Sequence, residues 1–248
     1  MRIFALSDLH VDFEENWVWV QAISQVDYQR DVLIVAGDIT HKIERLLQTF
    51  RVLRKRFLRV FFIPGNHDLW VRGERGDSLE KIDALRSACE ECGIDMKPGE
   101  EHGVRVVPLM SWYCSQFDPR CQDYTVPVAW GDYRYCRWPE EVAEIDRYLS
   151  SFNQAPSKSA GLTVTFSHFL PRWELLPDVT YLRFKALPLV AGSPLIEGQL
   201  RAWGARIHVF GHSHIPWDEE LDGVRYVQQP LAYPKERRGR TPRLKKIH

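Results

Sequence analysis

Residues Val209–Asp218 read VFGHSHIPWD, an apolar run followed by a glycine and two histidines around one serine. In an extended chain, residues two apart point the same way, so His212 and His214 would present their imidazoles side by side at a strand end. By itself the spacing fits two readings. One is a metal clamp; the other is a pair of partly exposed polar residues in a turn.

The rest of the chain separates these readings. Apolar runs suited to buried strands occur at Ile3–Ser7, Asp31–Ala36, Arg59–Ile63, Val104–Leu109, Leu162–Ser167 and Arg206–Phe210. Five of these six lead directly into Asp, Asn or His: Asp8-Leu9-His10, Gly37-Asp38, Gly65-Asn66-His67-Asp68, His168, and Gly211-His212-Ser213-His214. Asp and Asn favour turns for their own reasons, so each group alone would pass as a loop. In open α/β sheets, however, ligands bind beyond the carboxyl ends of the strands. Five strand ends delivering metal-type ligands to one place favour the clamp.

Helical stretches separate the early strands. Candidates are Asn16–Val26 with Asn16 as N-cap, His41–Arg56, Ser78–Glu91 capped by Ser78, and a helix starting at Pro139. In the second, Ile43, Leu46, Leu47, Phe50 and Leu53 fall at helical spacing. This alternation predicts α/β layers around a mainly central sheet. Residues 111–138 differ in character, with Trp112, Tyr113, Trp130, Tyr133 and Trp138 among them. So aromatic a segment is no disordered linker. It reads either as a flap facing substrate or as a loop covering the core with its own rings.

The 248 residues, 44% hydrophobic and 27% charged, suit one large globular domain. Residues 1–234 are assigned to it, and 235–248 to a basic tail. Net charge is zero, which provides no general attraction for nucleic acid or membrane. The tail KERRGRTPRLKKIH carries seven Lys or Arg and one Glu, and it is expected to be a solubilising, partly disordered end. Five cysteines and an N-terminus, MRIFALSD, without signal-peptide character point to a cytoplasmic protein with reduced thiols. Cys89 and Cys92 fall in the last turn of a helix stopped by Gly93, without the further ligands a zinc site needs.

With these motifs in this order from residue 8 to residue 214, the sequence resembles the calcineurin-like metallophosphoesterases. The resemblance implies an α/β/β/α sandwich of two mixed sheets flanked by helices, with the metal site at the strand carboxyl ends. It implies two divalent ions, manganese with iron or zinc as alternatives. Asp8, His10 and His214 would hold one, Asn66, His168 and His212 the other, and Asp38 would bridge them. Nitrogen and oxygen donors without thiolate suit such ions. A metal-bridging hydroxide would be the nucleophile, His67 the general acid, and Asp68 the group that fixes the tautomer and orientation of His67.

The substrate is implied less narrowly: a phosphomonoester or phosphodiester of a small molecule or nucleotide. Gly37-Asp38-Ile39-Thr40 lacks the Asp-Arg-Gly usual in phosphoprotein phosphatases of this superfamily, and Asn66-His67 differs from the Asn-Arg of the lipid A pyrophosphatase branch. The alternative from another class is a scaffold that keeps the fold but little catalysis. Its mark would be a degraded ligand set.

Overall fold

Three parallel strands, β1 (Ile3–Leu6), β2 (Val32–Ala36) and β3 (Arg59–Ile63), lie in the order β1-β2-β3. This is a computed structural model, and it describes residues 1–248 except 74, 122, 158–160 and 238. Two helices, α1 (Glu14–Gln21) and α2 (Ile43–Arg54), connect the strands, and α3 (Ser78–Cys92) packs beside α2. A second sheet contains β4 (Gly99–Glu101), β5 (Val104–Pro108), β6 (Leu162–Phe166), β7 (Ile207–Phe210), β8 (Trp217–Leu221) and β9 (Val224–Gln228), in the order β4-β5-β6-β7-β9-β8. Its four inner strands are parallel and its two edges antiparallel. The short helices α4 (Gly131–Tyr135) and α5 (Ile145–Ser150), and then α6 (Pro194–Ala202), accompany this half.

The sheets face each other, with β1 against β9, β2 against β7 and β3 against β5. This is the expected α/β/β/α sandwich of two mixed sheets. Every residue of β2 (VLIVA) is buried, as a strand covered on both faces requires. All six predicted strands form. The sequence reading missed β4, β8 and β9, although each lies in a hairpin with a readable turn. His102-Gly103 and Asp222-Gly223 both take positive φ at both positions, the preference of two-residue hairpin turns.

Several helix expectations need correction. Asn16 is not an N-cap: it lies inside α1, and its Nδ2 donates to the carbonyls of Leu9 and Ala232. That helix also ends at Gln21, short of Val26. The cap of α3 is Asp77, whose carboxylate accepts from the Leu79 and Glu80 amides while Glu80 reaches back to the Asp77 amide. Ser78 instead donates to the Leu69 carbonyl. Gly93 ends α3 in the left-handed conformation, as expected. No helix starts at Pro139. Only Val142 is buried in that acidic run, too little apolar face to dock a short helix, and α5 begins at Ile145.

The basic end is not a disordered tail. Lys245–Lys246 form β10, antiparallel to β1, and Ile247 is buried in the core. The last residues are therefore joined to the first sheet, with Lys245–Lys246 as its edge strand. Asp218 on β8 holds this end, accepting from Arg225 at 2.7 Å and Lys245 at 2.6 Å. Arg225 and Lys245 bring its carboxyl down to about 2. A folded pKa below the unfolded value gives stability that is present above about pH 4 and fades as pH falls toward 2. We expect Asp218→Asn to destabilise the protein by about 1 kcal/mol at pH 7. The gap in thermal midpoint between variant and wild type should close below about pH 4; a gap independent of pH would assign it to packing.

Candidate metal centre

Loops leaving β1, β2, β3, β6, β7 and β9 meet at one end of the sandwich. Backbone hydrogen bonds join them: the Asp8 amide donates to Gly37, the His10 amide to Asp38, and the Ala232 amide to Asp8. Asp8, His10, Asp38, His212 and His214 all have positive φ. A non-glycine residue rarely adopts that region, and clusters of such residues mark functional sites. Here the sharp turns aim consecutive side chains into a single cup. Gly65 allows close approach: a Cβ there would stand 2.2 Å from Asp38 Oδ1 and 2.7 Å from His168 Cε1.

The structure gathers all seven residues expected as ligands. On one side, Asp8, His10, Asp38 and His214 place one donor atom each within 4.8 Å of the others. His10 Nε2 stands 3.0 Å from His214 Nε2, and His214 Nε2 is 3.5 Å from Asp8 Oδ1. On the other side, Asn66 Oδ1 stands 3.0 Å from His168 Nε2 and 3.1 Å from His212 Nδ1. Asp38 lies between the two groups. Its Oδ1 is 3.5 Å from His168 and its Oδ2 is 3.8 Å from His10.

The donor set fits cations. His168 Nδ1 donates to the Ala36 carbonyl at 2.9 Å, which leaves its Nε2 bare and pointing at Asn66 Oδ1. His214 Nδ1 is 2.6 Å from Glu236 Oε2, so its other nitrogen faces His10 and Asp8. Lone pairs that face one another in a buried cup need a positive charge between them. The titration tendencies agree. Burial and the neighbouring Asp68 and Asp8 raise the Asp38 carboxyl well above the usual range. Burial and the neighbouring His67 and His214 push the His10 imidazole well below its ordinary value. Burial works against His214, but Asp8 and Glu236 outweigh it and raise its pKa to about 9. Against the burial that opposes ionisation, His214 brings Asp8 down to about 2.

His67 sits at the rim. Its ring stacks on Trp70 at 3.7 Å, and its Nε2 is 3.3 Å from the Tyr233 hydroxyl. Asp68 does not orient it. The Asp68 carboxylate accepts from the Asp38, Gly65, Ile39 and Thr40 amides at 2.8–3.0 Å. Burial raises this carboxyl to about 7, against four donors that favour its ionised form. It ties the loop after β2 to the loop after β3, which carry Asp38 and Asn66. The expectation that Asp68 fixes the His67 ring is thus replaced by a role in the backbone. His41 is structural, 3.9 Å from Asp12, with its carbonyl accepting from Lys81. His208 is a buried residue bonded to Thr165 and Ser167.

Sequence reading missed Glu236, Tyr233 and Asp132. Glu236 is the sole acid of the basic end, which was a usable signal. Asp132 lies in the aromatic segment, part of which covers the core and part of which borders the cup. Trp112 and Phe117 are buried in the core, while Trp130 and Gly131 line the site. A cavity of about 920 Å³ opens from Asp38, Asn66 and His67 toward Trp130, Phe184 and Ile215.

A sandwich of this topology with such a cup at its strand ends defines a metal-dependent phosphoesterase. The match to the calcineurin-like phosphoesterase family spans residues 1–216, and the chain belongs to that family. It is similar to the acyl-carrier-protein phosphodiesterase PptH of Mycobacterium tuberculosis, with 27% identity over 271 residues, covering 97% of this chain and 80% of that protein. The crystal structure of phosphopantetheinyl hydrolase PptH from the same organism aligns with a TM-score of 0.81 at 24% identity, covering 99% of this chain and 95% of that one. That likeness supports the fold. No described helix is long and apolar enough to cross a membrane.

If Asp68 acts through the backbone, Asp68→Ala should cost about 3 kcal/mol of stability, since four buried amides lose their acceptor. Chemical unfolding in the presence of chelator would measure this free of metal. Unchanged stability with lowered turnover would return Asp68 to His67.

Proposed function

We propose that this chain is a cytoplasmic two-metal phosphodiesterase acting on a phosphodiester that carries a long organic arm. The observation that carries this reading is the continuity of the donor cup with the large cavity. That volume exceeds what a phosphoryl group needs, and its wall is largely apolar. Trp130 and Phe184 stack at 5.2 Å on one side, and Ile215 and Pro216 lie among the other lining residues. Exposed Arg183, Lys235 and Arg240 also line it. The printed activities of PptH, a phosphodiesterase of acyl-carrier protein and a phosphopantetheinyl hydrolase, fit such a site. A phosphopantetheinyl arm on a carrier protein is the substrate class we infer. Free thiols throughout the described residues agree with a reducing compartment.

In this reading Asp8, His10 and His214 would hold one ion, Asn66, His168 and His212 would hold the other, and Asp38 would serve both. Manganese suits the mixed oxygen and imidazole set, with iron or zinc as alternatives. Two such ions, when bound, supply positive charge for the phosphoryl oxygens and acidify water for in-line attack. The protein's own residues do the rest. His67 lines the cavity at its rim, where it would meet the leaving oxygen of a phosphodiester held there. Burial and the nearby His214 and His168 hold its pKa well below the ordinary value. A bound phosphodiester anion raises it again, so His67 takes up its acidic proton together with substrate and delivers it to the leaving oxygen. Trp70 limits the ring to one face, and Tyr233 holds Nε2 until substrate displaces it.

Chelated protein should be inactive toward bis-p-nitrophenyl phosphate and recover with Mn²⁺. Its rate on that diester should exceed its rate on p-nitrophenyl phosphate, and the reverse ratio would favour a monoesterase. Release of the phosphopantetheinyl group from carrier protein, followed by mass, tests the arm directly. His67→Ala should slow an alkyl leaving group by ~10²–10⁴-fold and a nitrophenolate far less. Equal losses on both would remove His67 as the acid. Asp38→Asn should bind little metal and lose nearly all turnover.

A further inference from the structure

Asn66 is the one proposed ligand that can present either end of its side chain to the cup. Its oxygen can face a metal position, or its NH₂ can. Without metal the second arrangement has an attraction, because His168 Nε2 is bare and 3.0 Å away. An amide turned that way would donate to the imidazole and close the position.

The aromatic segment prevents this. Asp132 Oδ1 accepts from Asn66 Nδ2 at 2.8 Å and from Trp70 Nε1 at 2.8 Å. Its Oδ2 accepts from Trp130 Nε1 at 3.0 Å. The carboxylate is 2% exposed, and these partners are all donors. A reversed Asn66 would set its oxygen against Asp132 Oδ1, acceptor against acceptor with no water to relieve it. A charged acceptor holds the NH₂ group more strongly than a neutral imidazole does.

We infer that Asp132 is a positioning residue that keeps the Asn66 oxygen turned toward the metal position before any metal arrives. The inference rests on the proposed role of Asn66 as a ligand. It makes the insertion a part of metal uptake as well as a cavity wall. The same carboxylate binds Trp130, so the wall and the metal position share one anchor.

The test uses full-length protein stripped with chelator and titrated with Mn²⁺, read by calorimetry and by bound-metal content. Asp132→Ala should weaken one of the two ions by ~10–100-fold and spare the other. Asp132→Asn should stay within about threefold of wild type, because its single oxygen can still accept from both Asn66 and Trp70 while only the Trp130 bond is lost. Wild-type binding of both ions by Asp132→Ala overturns the inference. So does an equal loss in Asp132→Asn, which would mark a general packing defect. If Asp132→Ala does not fold, Asp132→Leu, which keeps the volume and accepts no hydrogen bond, takes its place: one ion weakened supports the inference, both kept overturns it. Asn66→Ala separates the two layers. If that variant keeps both ions, the ligand reading itself fails. If it loses one ion and Asp132→Ala loses none, only the positioning role falls.

Discussion

Bare lone pairs facing one another in a buried cup are the constraint on which the rest of this structure depends. Asp8, Asp38, His10, His168 and Asn66 are all almost fully buried, and their donor atoms converge where water cannot screen them. Such a cluster is unfavourable without cations. The protein supports it from outside by hydrogen bonds to the outward atoms of these side chains. The Ala36 carbonyl accepts from His168 Nδ1, Glu236 faces the outer nitrogen of His214, and Asp132 holds the amide of Asn66. Partners of this kind orient ligands and tune their basicity.

The backbone bears the cost of this arrangement. Five of the converging residues sit at positive φ, a conformation that persists only when the surroundings determine it. Those surroundings are the hydrogen bonds linking the loops after β1, β2 and β9, and the four amides gathered by Asp68. Two sheets packed face to face bring the strand ends of both halves to one place, so the cup draws on residues more than 200 positions apart. The end of the chain completes the frame, with β10 on the edge of the first sheet and Glu236 at the cup.

Much of this was legible in the sequence because buried parallel strands leave a strong signal. Runs such as DVLIVA are apolar without alternation, and each delivers its polar residue just past its end. The amphipathic α2 was equally plain. The helix caps were less so, since Asp77 and Ser78 are both competent caps and only the return bond from Glu80 selects one. The hairpins of β8–β9 and β4–β5 carried their Asp-Gly and His-Gly turns in view. The strands beside them, such as WDEEL, are polar edge strands whose pattern is weak.

The sequence by itself determined the types of donor residue, their order and the strand ends that bear them, because those depend on residues close together in the chain. Tertiary structure decided which groups support the cup. Asp68 lies next to His67 in sequence yet turns to the amides of two other loops, while Glu236 and Asp132 reach the site from segments that read as a tail and an insertion. A hydrogen bond between distant residues depends on where the chain returns, and local spacing does not carry that information.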